Sequence, residues 1–254
     1  MKVTLLGCGG AGGVPLIGNN WGACDPTEPR NRRTRVSALV EEGETSLLID
    51  TSPDMREHLL KCNLQDLTAI LYTHAHADHC HGIDNIRSLN WLLRRAVPVY
   101  AEQSTMDELR KRFEYIFEPP KIEGKYYAPS VEAHLIEGPL TFGSIKMTSF
   151  KQQHGELTTM GFRFNDFGYS TDAGALSDEA FAALQGVKVW VVGAIRERPH
   201  YTHAHIDMAL EWIARVKPER AFLTHMDHSV DYQTLKAKLP ANVEPAYDGL
   251  VIEC

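Results

Sequence analysis

The stretch that decides the reading is THAHADHCHG, Thr73–Gly82, which crowds four histidines and an aspartate into eight positions. Histidine is costly to bury because both ring nitrogens then need partners. Such density needs a reason, and a metal supplies one. His74 and His76 stand two apart at the end of an apolar run, Ala69–Tyr72, that reads as a buried strand, so their rings project to one side. Asp78 and His79 fall in the turn that leads into the following segment. Imidazole nitrogen and carboxylate oxygen suit zinc, iron or manganese. Four such groups from one loop over-supply a single ion, and adjacent residues of a turn can point at two.

Further candidates lie downstream: His154 in QQHGE, Asp172 in YSTDAG and His225 in LTHMDH, each just after an apolar strand-like run. Together with the first four they make seven ligands. That is enough for two ions sharing a bridging carboxylate, roughly 3.5 to 4 Å apart. Isolated histidines such as His58 and His134 receive no role, because a lone histidine is usually a surface or satisfied core residue.

The rest of the chain is ordinary. Its 254 residues, 43% hydrophobic, suffice for a substantial core, and the absence of a low-complexity linker favours one domain over 1–254. A formal charge of -7 argues against broad binding to nucleic acid or an anionic membrane. The five cysteines are scattered without a CxxC pair, which argues against a disulfide framework and fits a reducing, cytoplasmic setting. The opening apolar run is too short for a signal peptide, and no later run approaches a membrane span.

Val3–Leu6 reads as a strand entering the glycine turn GCGGAGGVP, which suggests the floor of a site. VSALVEEGETSLLID reads as a hairpin ending at Asp50, and PDMREHLLKC as a helix. DNIRSLNWLLRR is helical with Ile86, Leu89, Leu92 and Leu93 on one face, and VPVYAE is a strand. STMDELRKRFEYIFE reads as one helix capped by Ser104 or Thr105. Later come strands at SIKMTSFKQQ, TMGFRFND, FGYSTD, VKVWVVGAI, RAFLTH and GLVIEC, with a helix at DMALEWIARV. Two sheets covered by outer helices follow.

THAHADH, QQHGE, STDAG and LTHMDH, in that order, resemble the metal motifs of the metallo-β-lactamase superfamily, and the match spans nearly the whole chain. The resemblance implies an α/β fold, a four-layer αββα sandwich, holding two divalent ions: zinc or manganese first, with iron also admitted. It places His74, His76 and His154 on one ion, Asp78, His79 and His225 on the other, and Asp172 between them. Asp172 separates the chain from the lactamases proper, many of which carry a cysteine there.

The glycine turn, the RNRRTR segment and a histidine just before a helix in RPHYTHAHIDMALEWIARV resemble one branch of that superfamily. It contains tRNA 3′-processing endonuclease and the cyclic ribose-phosphate phosphodiesterase of phosphonate breakdown. By its spacing to Asp207 and Leu210, His203 matches the general acid of that phosphodiesterase; His205 is the second choice, and His200 reads as plain loop. The cysteine trio that holds a structural zinc in the phosphodiesterase is reduced here to Cys24, although His228 is present, so that zinc is not expected. The basic Gly/Pro-rich arm of the endonuclease has no counterpart, which disfavours a tRNA substrate and any stable nucleic-acid partner.

Asp50, from its strand-end position, is expected to accept a hydrogen bond from a ligand histidine. Tyr126 and Tyr127 are candidates to line a substrate pocket, against ordinary packing of a helix end. Arg32 and Arg35 are candidates to clamp phosphate, against a solvated loop for the first and a structural ion pair for the second. The expected function is hydrolysis of a small phosphodiester, such as a cyclic nucleotide or ribose phosphate. The alternatives are a thioester or lactone hydrolase on the same ions, a tRNA 3′-processing-type endonuclease, and a nucleotide-binding protein without turnover. A homodimer is admitted only because it is a common state for soluble enzymes.

Overall fold

The computed structural model describes residues 1–118 and 130–254; Tyr126 and Tyr127 lie outside the described residues. The strands are β1 (Lys2–Gly7), β2 (Ser37–Glu42), β3 (Thr45–Ile49), β4 (Ala69–Leu71), β5 (Val97–Ala101), β6 (Val131–Leu135), β7 (Leu140–Phe142), β8 (Ile145–His154), β9 (Leu157–Phe164), β10 (Phe167–Ser170), β11 (Ala175–Leu176), β12 (Val189–Gly193), β13 (Arg220–Thr224), β14 (Val243–Pro245) and β15 (Leu250–Glu253). The helices are α1 (Met55–Lys61), α2 (Ala77–Cys80), α3 (Ile86–Leu93), α4 (Gln103–Arg112), α5 (Glu114–Phe117), α6 (Asp178–Leu184), α7 (Ile206–Val216) and α8 (Tyr232–Lys236).

One sheet runs β15-β1-β2-β3-β4-β5-β6 and the other β11-β8-β9-β10-β12-β13-β14, with β7 added beside β8. Both sheets have the same grammar. Going from β15 to β3 the pairings are antiparallel, and from β3 to β6 they are parallel. Going from β11 to β10 they are antiparallel, and from β10 to β14 parallel. Parallel strands need covered crossovers, which places helices on the outer faces.

Side-chain alternation builds the layers. In β3, Leu47 and Ile49 point into the core between the sheets, where they meet Phe162 and Phe164, while Leu48 points outward to Ile86 and Leu89 of α3. In β12, Val189 and Val191 face the same central core, while Trp190 and Val192 face Ala209 and Ile213 of α7. A strand covered on both faces must be apolar at every position, and β4 and β12 are. The result is the αββα sandwich of the metallo-β-lactamase fold.

Some elements differ from expectation. The helix expected over STMDELRKRFEYIFE is capped by Glu102, whose carboxylate accepts from Ser104 N at 3.0 Å and Ser104 Oγ at 2.6 Å, so the serine hydroxyl is already engaged. It also breaks at Phe113, with φ -127°, before α5 resumes. Leu92, placed on the buried face of α3, is 51% exposed, because Ile86 and Leu89 already fill the contact with the sheet. The polar-looking strands β6 and β7 and the helices α6 and α8 carried no clear period and were not anticipated.

Candidate metal centre

The site lies where strands end. Asp50 follows β3, the Thr73–His79 turn follows β4, His154 closes β8, Asp172 follows β10 and His225 follows β13. Three of these residues sit in the left-handed region, Asp50 at φ 61°, Asp172 at 51° and His225 at 59°. Non-glycine residues reach that region at a cost, and aspartate and histidine tolerate it better than most. The sharp backbone turns bring the three side chains to the end of the sandwich.

Two groups of ligand atoms form there. One ligand atom each from His74, His76, His154 and Asp172 lie within 4.8 Å of one another, as do those from Asp78, His79, Asp172 and His225. Asp172 belongs to both, and its two oxygens are divided between them. Oδ2 is 3.7 Å from His74 Nε2 and 3.9 Å from His154 Nε2. Oδ1 is 3.3 Å from His79 Nε2 and 3.1 Å from His225 Nε2. Asp78 Oδ2 lies 3.4 Å from both His79 Nε2 and His225 Nε2.

Ligands about 2.0 to 2.1 Å from a tetrahedral ion stand about 3.3 to 3.4 Å from each other, so these spacings suit groups that share an ion. Moreover, His74 Nε2 and His79 Nε2 are buried without any hydrogen-bond partner. Buried polar atoms of that kind need one. The donor set, its division by Asp172 and the two orphaned nitrogens fit a pair of divalent cations.

The rings are oriented from behind. Asp50 Oδ2 accepts from His79 Nδ1 at 2.7 Å and from Thr73 Oγ1 at 2.8 Å, and its Oδ1 accepts from Thr73 N at 2.8 Å. With its proton given to Asp50, the Thr73 hydroxyl is free to accept from His74 Nδ1 at 3.0 Å. His154 Nδ1 donates to the Thr202 carbonyl at 2.9 Å. All three bonds leave Nε2 facing the centre. The glycine turn approaches His225 closely: a Cβ on Gly10 would stand 3.6 Å from the ring.

Burial alone would raise the Asp172 carboxyl, but the His225, His79 and His74 rings outweigh it and hold the group well below its usual range. Asp78 likewise resists its burial, through His225 and His79, and is held down. Against their own burial, Asp172 and Asp50 lift His79, and Asp172 and Asp78 lift His225. Burial, with the neighbouring rings, instead pushes His74 and His76 down, so the upward shift is confined to the two rings beside Asp78 and Asp172 Oδ1.

His203 stands at the edge of this centre. Its ring stacks on His225 at 4.9 Å, meets His154 edge-on at 4.6 Å, and its Nδ1 is 3.8 Å from Asp172 Oδ2. Burial is the main force pushing its pKa down, to about 3, aided by His225 and His154. The ring beside it is that of His200, 4.9 Å away, the histidine read as plain loop; its Nδ1 accepts from Thr202 N at 3.3 Å and so shapes the turn. His205, the second choice for the acid, instead precedes α7 as its N-cap residue.

The basic segment behaves differently from a phosphate clamp. Arg35 pairs with Asp54 at 2.9 Å, and Arg32 lies over the Trp21 ring at 5.0 Å. Arg33, not singled out before, is the buried one: Nη1 donates to Asp227 O and Nη2 to Asn31 Oδ1. Cys24 donates to Val230 O at 3.2 Å and His228 O at 3.4 Å, so its thiol has partners. His81, the last histidine of the opening stretch, turns onto Phe113. The orienting groups Thr73 and Thr202 were missed; one acts through a hydroxyl next to the motif and the other through a backbone carbonyl, which no residue type announces.

Residues 45–226 match the β-lactamase superfamily domain. The chain belongs to that superfamily. This superfamily member has the metallo-β-lactamase fold, with His/Asp groups that could hold divalent metal ions. It is similar to a diphosphatase from the PhnP family, with 32% identity, a TM-score of 0.91, and coverage of 100% of this chain and 97% of that one. It is 29% identical over 253 residues to an octanoyltransferase of Porphyromonas gingivalis, covering 98% of this chain and 51% of the relative. Exodeoxyribonuclease WalJ of Streptococcus pneumoniae serotype 2 is 28% identical over 169 residues, 62% of this chain and 57% of the relative. The chain thus spans about half the length of the curated relatives it matches. Among the described residues, no helix is long and apolar enough to cross a membrane.

Proposed function

We propose that the protein hydrolyses a small phosphodiester, such as a cyclic nucleotide or ribose phosphate. The observation that carries this reading is a histidine, His203, packed on the edge of a carboxylate-divided pair of ligand groups. Bound divalent ions would supply the positive charge that stabilises phosphoryl oxygens and makes water nucleophilic at neutral pH. Asp172, with one oxygen to each group, sets the spacing. Asp50, Thr73 and Thr202 hold the ligand rings with Nε2 inward. His203, neutral when nothing faces it, gains a proton when an anionic diester lies against its ring, since opposite charge favours the cationic form. It then gives that proton to the departing alkoxide.

The test uses bis(p-nitrophenyl) phosphate and a panel of 2′,3′-cyclic nucleotides with zinc- and manganese-loaded protein. Asp78→Ala should abolish turnover. His203→Ala should cost about 10²-fold or more on the cyclic nucleotides, whose leaving oxygen needs a proton, and less on the p-nitrophenyl ester. No diester turnover by protein carrying both ions would overturn the reading.

A second reading, cleavage of a diphosphate linkage, is supported by the likeness to a diphosphatase. A dinucleoside diphosphate in the same panel, turned over faster than every diester, would favour it. An acyl thioester belongs in the panel too, because one relative is named an octanoyltransferase.

A further inference from the structure

Gly174 lies two residues beyond Asp172, and its Cα packs on the backbone of Thr202. A Cβ there would stand 2.9 Å from Thr202 O, 3.0 Å from its carbonyl carbon and 3.5 Å from its Cα. All three neighbours are backbone, so no rotamer change relieves the contact. Gly155, at φ 61° and next to His154, presses from another side: a Cβ on it would meet Thr202 Cγ2 at 2.8 Å.

The Thr202 peptide is thus seated between the glycines that follow two ligand residues. It is also tied there. Its carbonyl accepts from His154 Nδ1 at 2.9 Å, Ala204 N donates to Ala173 O at 2.6 Å, and Gly174 N donates to Gln153 O at 2.7 Å. The residue after Thr202 is His203, whose ring depends on this seat for its place over His225 and beside Asp172.

We propose that Gly174 is a positioning residue for proton donation: the side chain it lacks lets Thr202 seat against the ligand turns, and that seat sets the reach of His203 to the leaving oxygen. The proposal rests on the phosphodiesterase reading. A methyl at Gly174 displaces the Thr202 peptide and swings His203 away, while His79 and His74 keep their bonds to Asp50 and Thr73 and His154 has its bond to Thr202 O lengthened.

The test is Gly174→Ala in the full chain, with bound zinc, thermal midpoint, kcat and KM all measured. Two zinc ions per chain should still bind. On a 2′,3′-cyclic nucleotide kcat should fall about ten-fold or more with KM within about two-fold, whereas on bis(p-nitrophenyl) phosphate kcat should fall less than about three-fold. Combined with His203→Ala, the substitution should add almost nothing on the cyclic nucleotide, because both remove one proton transfer. Equal losses on both substrates, or losses that multiply with those of His203→Ala, would overturn the proposal.

If Gly174→Ala does not fold, Gly155→Ala provides the second route. Its methyl meets Thr202 Cγ2 at 2.8 Å and Tyr201 Cε1 only at 3.6 Å, so adding Thr202→Ser, which removes Cγ2, should raise the cyclic-nucleotide rate above that of Gly155→Ala alone; no increase overturns the proposal. Wild-type protein inactive on both diesters sinks the parent reading and this one with it. Active wild type with no leaving-group signature in the variants sinks this one alone.

Discussion

Replacing Asp50 by asparagine isolates the orientation of one ligand ring. Asp50 is fully buried and sits at φ 61°, a conformation asparagine tolerates, so the backbone has no reason to move. The carboxylate accepts three hydrogen bonds, from His79 Nδ1, Thr73 Oγ1 and Thr73 N. An amide can accept at only one of its two atoms. If its nitrogen takes the Oδ2 place it faces the His79 N–H; if it takes the Oδ1 place it faces the Thr73 N–H. In metal-free protein, where Nε2 is free to carry a proton, His79 can give up its Nδ1 proton and relieve the first conflict. With an ion on Nε2 it cannot, so the cost falls on the loaded form. A buried donor left unmatched costs about 1 to 3 kcal/mol, which matches the roughly 10- to 100-fold loss of metal affinity seen when an outer partner of a ligand is removed. Zinc affinity measured by competition with a chromophoric chelator should fall by about that factor. Wild-type affinity in Asp50→Asn protein, within about two-fold, would refute the idea that Asp50 orients His79.

Other consequences follow from groups away from the ions and from the ions themselves. His58 is 2% exposed, and burial pushes its pKa down from 6.5 to about 4. Its neutral form is the one the fold accepts, so the stability is complete above 6.5 and lost as pH falls toward 4. Urea unfolding of wild type should lose about 3 kcal/mol more than His58→Gln between pH 7 and pH 4, and equal losses would refute this. Trp190 is fully buried with Nε1 donating to Ser170 Oγ at 3.1 Å, so Trp190→Ala should cost about 3 to 5 kcal/mol in urea unfolding; a loss below about 1 kcal/mol would contradict the packing described. Removing metal with a chelator should lower the thermal midpoint, because an ion at 100 times its Kd stabilises by about 2.7 kcal/mol. An unchanged midpoint would mean that the ligand groups hold no ion in the folded protein.

The ligand residues were legible because each is a chemically costly residue directly after an apolar run, and strand ends are where a sheet holds side chains rigidly. His74, His76, Asp78, His79, His154, Asp172 and His225 therefore came together from local pattern alone. Asp50 was legible for the same reason. Thr202 was not, since its contribution is a carbonyl, and the role of Gly174 depends on a chain segment 28 residues away. The arginine-rich segment was legible only in part: the structural ion pair held open for Arg35 is there, with Asp54. The burial of Arg33 and the seat of Arg32 on Trp21 were hidden, because both depend on loops that only the fold brings together. The break between α4 and α5 was hidden because Phe113 leaves the helical region without a proline or glycine to mark it.

The most direct test of the account is a titration. Metal-free protein is given zinc or manganese in small steps while hydrolysis of a 2′,3′-cyclic nucleotide is followed, with bound metal counted at each step. Turnover should appear with loading and level off near two equivalents per chain, as two ions divided by Asp172 require. A plateau at one equivalent, or two bound ions with no hydrolysis of any phosphodiester, would contradict it.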